Sequence, residues 1–263
     1  MIAKLKAFQF KRRTFFYPYI VFMLIFVVLP LVLIFFNAFL VDGKLSLGNI
    51  SRFFSEKASV IVLGNSLMVG LVTTMLCLLL GYPVAYFLHK LNTGKLVVLL
   101  FILPMWVNFL IRTLATKAIF MALEIKLGMG TVIFGMVYNY LPFMILPLHT
   151  NISNIDKSFI EASQDLGADS FQAFTKIVLP LSIPGIISGI TMVFIPTIST
   201  FAISELLSDS TIFLFGDSID TKFRMGLYGV GSVMSLIMLI LVLASNFVMS
   251  KFYPDEEAGR GVL

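Results

Sequence analysis

From Phe15 to Val41 the chain runs FFYPYIVFMLIFVVLPLVLIFFNAFLV, with no charged side chain and one amide, Asn37. About 20 apolar residues in a helix cross the hydrocarbon of a bilayer, and a lone segment satisfies its own backbone there only as a helix. Lys4, Lys6, Lys11, Arg12 and Arg13 precede the run, as in a secretory signal. The run is too long for the apolar region of a signal, and no A-x-A-like cleavage site follows it. The expectation is an uncleaved membrane anchor.

The rest of the chain repeats the pattern. Apolar runs at Val60–Leu88, Leu96–Ile111, Gly130–Leu148, Leu181–Leu206 and Gly226–Ser250 bring the expected spans to six. The fold class is therefore an all-α integral membrane protein of six transmembrane helices. Its membrane domain covers 15–250, between an N-terminal segment 1–14 and a tail 251–263 in which Asp255, Glu256 and Glu257 are solvated. Only 13% of residues are charged and 59% are hydrophobic, where a soluble domain carries about a quarter charged. A net charge of +5 in such a chain orients spans in a lipid bilayer and does not point to nucleic acid. The one cysteine, Cys77, lies inside an apolar run and offers neither an intrachain disulfide nor a metal cluster. Prolines 30, 83, 104, 142, 184 and 196 fall within spans and predict kinks. Gly185 and Gly189 form a G-x-x-x-G that allows close helix packing.

Between the third and fourth spans, Thr113, Lys117 and Glu124 share one helical face while Leu114, Ala118, Ile119 and Leu123 lie largely on another. The pattern suits a helix over 112–129 lying in the membrane interface; the alternative is one tilted helix continuing the third span. Six spans put both termini on one side. Of the 19 Lys and Arg, eleven fall on the side of the N-terminus and eight on the other, and the cluster before the first span carries the most weight. Both termini, and the segment 151–180, are expected in the cytoplasm.

That segment is polar in an apolar chain. Glu161 to Pro180 read EASQDLGADSFQAFTKIVLP. Ser158 and Glu161 have capping-box spacing, which predicts a helix starting near Ser158. Gly167 stands where a glycine closes a helix in the left-handed conformation. Asp169 and Gln172 repeat the cap spacing for a second short helix running towards Leu179-Pro180. An ordinary capped hairpin covering the bundle would show the same caps and glycine.

The combined spacing resembles the cytoplasmic signature of ABC importer permease subunits, EAA–x3–G–x9–I–x–L–P. Glu161, Ala162 and Ser163 are followed by three residues and Gly167, and nine more lead to Ile177, Val178, Leu179 and Pro180. The departure is Ser163 where the family carries alanine; a serine is small and can bond its own helix backbone. The resemblance implies a coupling loop that docks on a separate ATPase subunit dimer, with Glu161 in polar contact and Gly167 setting the bend. No G-x-x-x-x-G-K-[ST] occurs in the chain, so ATP and magnesium belong to that partner and this chain, a non-catalytic transport subunit, binds no cofactor. GYPVAYFLHKL (81–91), ILPMWVNFLIR (102–112), the stretch 137–168 and PLSIPGIISGI followed by ISELL extend the resemblance to the permeases of spermidine/putrescine importers over most of 65–251. It implies a second, related permease, an extracytoplasmic polyamine-binding protein, a bacterial inner-membrane location and transport by alternating access. Permeases for metals, inorganic anions or other organic cations share the skeleton and remain alternatives.

A polycation crossing a bilayer wants carboxylates and aromatic faces. Glu205 is an acid inside an apolar run, where insertion costs about 2.5–3.5 kcal/mol at a helix centre and less near an end. Lining the pathway would explain it, and so would solvation at the interface. Asp209 lies one turn further out, on the pathway or in a simple loop. Trp106, the only tryptophan, can face an ammonium with about 0.5–2 kcal/mol or pack in the bundle. Tyr86, Asn108, Tyr138 and Asn139 complete the candidate polar groups. An intramembrane serine hydrolase built on Ser188 is a remote alternative, since His89 and His149 fall at the ends of other spans, away from it.

Overall fold

The computed structural model describes residues 16–41, 43–90 and 95–252. The basic cluster Lys4–Arg13 and the acids 255–257 lie outside the described residues.

The first span begins as α1 (Phe16–Met23), widens into a π-turn at Leu24–Val28 and continues as α2 (Leu29–Phe39). The cause of the widening is Pro30. A proline lacks the N–H for the i−4 bond, and its ring presses on that carbonyl; an extra residue in the preceding turn relieves both. No residue of α1 or the π-turn is buried within the chain, as expected of a helix facing lipid or another subunit. A hairpin of β1 (Leu40–Val41) and β2 (Lys44–Leu45) turns at Gly43, φ +76°, and leads into α3 (Gly48–Ser55). The buried Asn49 amide donates to the carbonyls of Asn37, Ala38 and Leu40, closing the open end of α2.

The second span, α4 (Lys57–Lys90), is longer than the apolar run alone suggests and continues through Pro83. It forms the centre of the molecule with α7 (Met129–Ser153) and α11 (Ile183–Ser199). Small residues make their approach possible. A Cβ on Gly70 would fall 2.5 Å from Ile198 Cγ2 and one on Gly81 3.0 Å from Met144 Cγ. On α11, a Cβ at Gly185 would lie 2.7 Å from Asn151 Cβ and 3.1 Å from the Pro147 carbonyl, and one at Gly189 2.5 Å from Met144 Sδ. The G-x-x-x-G thus seats α11 on α7 inside one chain. Gly185→Val should destabilise the chain by about 1–3 kcal/mol, because backbone cannot yield as a side chain can. Gly64→Ala, in an α4 position with nothing within 4 Å, should stabilise by about 0.5–1 kcal/mol. Thermal unfolding of the two variants in one detergent compares them directly.

Two expected spans are broken. The third does not reach Ile111: α5 (Lys95–Trp106) stops, and α6 (Phe109–Ala122) sets off at 96° to it. Asn108 makes the restart, its side chain accepting the Leu110 N–H at 2.8 Å. The helix expected over 112–129 therefore starts three residues early, and its polar side packs on the protein while apolar side chains face outward. Arg112, Thr113, Thr116 and Phe120 are buried, whereas Leu114, Ile119 and Leu123 are exposed. The fifth span stops at Ser199 and not at Leu206; the chain turns through Ala202 at φ +73° and forms a separate α12 (Ile203–Leu207).

The connecting loop holds α8 (Lys157–Asp165), α9 (Ser170–Ala173), a π-turn at Phe174–Val178 and α10 (Leu179–Leu181). The second π-turn stands before Pro180 as the first stands before Pro30, for the same reason. A helix missed in the sequence, α13 (Phe215–Arg224), precedes the last span, α14 (Tyr228–Phe252). Among the described residues four helices are long and apolar enough to cross a membrane, and counting each of two bent helix pairs as one span brings the total to six.

Candidate functional site

The polar loop is built by its caps. Asp156 and not Ser158 starts α8, its side chain accepting the Ser158 N–H at 2.9 Å. Asp156 wins because its oxygen sits one residue before the first helical turn, where the free N–H groups point. That bond to the Ser158 backbone, then the Ser158 hydroxyl, hold the Asp156 carboxyl below its ordinary range. A depressed carboxylate stabilises the fold above its unfolded value, and this contribution fades as pH falls through the lowered one.

Gly167 closes α8 at φ +85° with its N–H bonded to the Gln164 carbonyl at 2.8 Å. Asp169 caps the next helix, accepting the Gln172 N–H at 2.7 Å. Ser163 donates to the Ile160 carbonyl at 2.7 Å, the self-bonding that lets a serine stand in this position. Glu161, Ala162 and Gly167 are exposed, Ile177 is half-buried, and Leu179 and Pro180 lie on the exposed side of the turn that leads back to the bundle. Next to them Phe159, Leu166 and Phe171 are exposed at 56%, 90% and 73%. Together they form an exposed apolar patch on an otherwise polar loop.

The loop is fastened to the bundle by aromatic contacts. Phe174 meets Tyr86 edge-on at 5.0 Å and Tyr82 at 6.0 Å, and the Tyr82 hydroxyl hydrogen-bonds the Ser182 hydroxyl at 2.8 Å. Behind the loop, between the ends of α4 and α7, is a cavity of about 810 Å³ lined by Tyr86, His89, Lys90, His149, Lys157 and Glu161 among others. Tyr86 thus belongs to the loop end and not with the other candidate pathway groups. Both histidines gather here too, while Ser188 is exposed on α11, away from them.

At the opposite end, α6, α12 and the start of α7 pack together. Glu205 is exposed on α12, one residue beyond the buried Ser204. Asp209 is exposed and pairs with Lys117 of α6 at 2.7 Å. Trp106 stands at the α5–α6 break, 78% exposed, and not in the middle of a continuous helix. Asn108 is spent on its cap. Tyr138 is exposed at the edge of α7 with the Arg112 guanidinium 5.9 Å above its ring. Asn139 is buried and donates to the Gly135 carbonyl at 2.8 Å. The structure thus brings Glu205, Asp209 and Tyr138 to neighbouring elements at one end of the bundle, with Trp106 and Asn108 at the break below.

Two residues here escaped the sequence reading. Asp217, only 4% exposed, accepts the Ala202 N–H at 2.9 Å and the Leu214 N–H at 2.8 Å, and takes a short hydrogen bond from the Ser204 hydroxyl. It pins the break between α11 and α12. Its signal was the acid in the first turn of FGDSIDTKFR, whose Asp220 and Arg224 pair four residues apart. Arg112 is 8% exposed, and its Nε and Nη1 have no hydrogen-bond partner.

Residues 1–255 match the family described as binding-protein-dependent transport system inner membrane component. The chain is 34% identical over 253 residues to the spermidine/putrescine transport system permease protein PotB of Haemophilus influenzae, covering 86% of this chain and 88% of that one. PotB of Escherichia coli is 36% identical over 218 residues, 72% of this chain and 79% of the relative. Among solved structures, a chain of a bacterial alginate ABC transporter in complex with its pentasaccharide-bound periplasmic protein superposes with a TM-score of 0.64 at 16% identity, covering 92% and 95% of the two chains. A chain of the inward-facing MetNI methionine ABC transporter gives 0.56 at 20% identity, covering 71% and 90%. The broken spans, the capped polar loop and the match over nearly the whole length agree: this chain is a multi-pass membrane protein of the inner-membrane component family of binding-protein-dependent transport systems.

Proposed function

We propose that the chain is the permease subunit of an ATP-driven importer of polyamines, spermidine and putrescine, passing solute from an extracytoplasmic binding protein to the cytoplasm by alternating access. The observation that carries the solute is the 34–36% identity to spermidine/putrescine permeases over most of both chains. The coupling role rests on the loop, whose Glu161, Ala162, Ser163, Gly167, Ile177, Leu179 and Pro180 stand on an exposed surface fastened to three span ends. An ATPase dimer binds that surface and carries ATP and magnesium, while this chain holds no cofactor of its own. A second, related permease completes the pathway. Both termini and the loop face the cytoplasm.

On this reading Glu205, Asp209, Tyr138, Trp106 and Asn108 offer the solute carboxylates, ring faces and a polar turn; Tyr86 serves the loop instead. Glu205→Gln should raise the half-saturating spermidine concentration about two- to fivefold, one exposed charge contact being worth up to about 1 kcal/mol, while assembly stays intact. Unchanged uptake kinetics would return Glu205 to a solvated surface position. A second reading, an importer of a carboxylate-bearing solute, draws on the unpaired Arg112 guanidinium. Uptake of labelled spermidine in cells lacking other polyamine importers, with and without this chain and with putrescine as competitor, separates the two. Uptake that ignores deletion of the chain overturns the polyamine assignment.

A further inference from the structure

The cavity behind the loop has a chemistry that polyamine transport does not use. Besides Tyr86, its histidines and charged groups come from three elements: His89 and Lys90 from the last turn of α4, His149 from α7, and Lys157 and Glu161 from α8, five in all. Four of the five are cationic or become so on protonation. Lys157 lies within electrostatic reach of His89, and His89 of His149, with one carboxylate, the exposed Glu161, among them. A polyamine is repelled by such a lining. The rest of the lining mixes the polar Ser153, Gln164 and Ser170 with apolar side chains, among them Ile152 and Ile155 at the end of α7 and just beyond it. The cavity lies where two spans end, and its lining combines cationic groups with apolar side chains. Its volume, about 810 Å³, falls in the range of small-ligand sites, about 300–1,000 Å³.

We propose that this cavity binds a phosphate group carried by an anionic phospholipid, the headgroup among His89, Lys90, His149 and Lys157 and the start of the acyl chains against Ile152 and Ile155. Basic pockets between membrane helices at a bilayer surface take anionic headgroups for this reason. The phosphate relieves the mutual repulsion of the cations, and the isoleucines exclude water from the pair. Burial and the neighbouring cations hold both imidazoles below the ordinary histidine range, and a bound phosphate raises them again, so binding tightens as pH falls through that raised value. The free phosphate ion shares the charged half of this chemistry and lacks the apolar half. The site goes beyond the polyamine reading and does not depend on it.

The test uses the purified transporter complex without polyamine or ATP. Three probes are titrated: dihexanoyl-phosphatidylglycerol, dihexanoyl-phosphatidylcholine and inorganic phosphate. Phosphatidylglycerol is expected to bind saturably, at least about tenfold tighter than phosphatidylcholine, and about threefold or more tighter at about pH 6 than at about pH 8. His89→Gln combined with His149→Gln and Lys157→Gln should lose that preference while the complex still assembles. His89→Lys with His149→Lys should keep it and lose the pH dependence, which covers the case of a triple variant that does not assemble. Inorganic phosphate displacing the lipid at equal concentration would support the site and make its ligand a soluble phosphate. Equal binding of the two lipids, or equal preference in the native complex and the Gln variant, overturns the proposal. Polyamine uptake is read separately, so failure of the solute assignment leaves this result standing.

Discussion

Gly167→Val is expected to lower solute uptake at least about tenfold while the membrane spans stay folded. The built Cβ at this position meets nothing within 4 Å, so the effect does not come from a clash. It comes from φ +85°, where a residue with a Cβ loses about 1–2 kcal/mol and a β-branched one more. The strain is relieved by re-aiming the segment after α8, which carries Leu166 and Phe171 off the surface they form. Gly167→Asn, which tolerates the left-handed region, should keep most of the uptake. Uptake and ATP hydrolysis are measured together on reconstituted complexes. ATP hydrolysis that continues as uptake falls in Gly167→Val marks uncoupling, and native uptake in that variant would remove the loop from the coupling role.

Asp217→Ala is expected to be the most destabilising change at the other end of the molecule. It leaves the Ala202 and Leu214 N–H groups and the Ser204 hydroxyl without acceptors in a buried site. Unsatisfied buried donors cost about 1–3 kcal/mol each, so the loss should reach at least about 3 kcal/mol. Asp217→Asn does not rescue it, because whichever way the amide sits its nitrogen faces a donor. Ser204→Ala removes one donor along with its need and should cost only about 1 kcal/mol. Protease nicking between residues 200 and 214, followed against temperature, separates these variants. Equal protection in Asp217→Ala and the native chain would mean that Asp217 does not hold the break.

What could be read in the sequence depended on whether the signal was local. Gly167 and Asp169 could be placed because a left-handed closure and an N-cap are decided within four residues. The six apolar runs could be counted because hydrocarbon thickness sets their length. The breaks at Val107–Asn108 and Thr200–Ala202 could not, since only scattered polar residues mark them and the runs around them read as continuous spans. What holds the break after α11 is tertiary: Gly216 packs directly against the Thr200 carbonyl, and Asp217 holds the Ala202 N–H. Asp217 lies among hydroxyls and acids that read as a solvated connection, and only the fold buries it. The inward polar side of α6 was equally hidden: Thr113 and Thr116 satisfy their hydroxyls on the preceding turn of their own helix, and Arg112 stands over the Tyr138 ring of α7. Asp156 was missed for a smaller reason, since two candidate caps stand two residues apart and both have an oxygen to offer.

The close seating of Gly185 and Gly189 on α7 has a mechanical consequence. The two helices that the loop joins are packed nearly backbone to backbone, so they tilt as one rod and not as two arms of a tweezer. A push on the loop cannot be lost by spreading them. It travels along the rod, with α4 as the fulcrum at Tyr82 and Ser182, and reaches the far end where the rod bends at Thr200–Ala202. On the proposed coupling role, stiffness at the loop end and a bend fastened by Asp217 at the far end would make the rod and the residues just past the bend, Glu205 and Asp209 among them, tilt together.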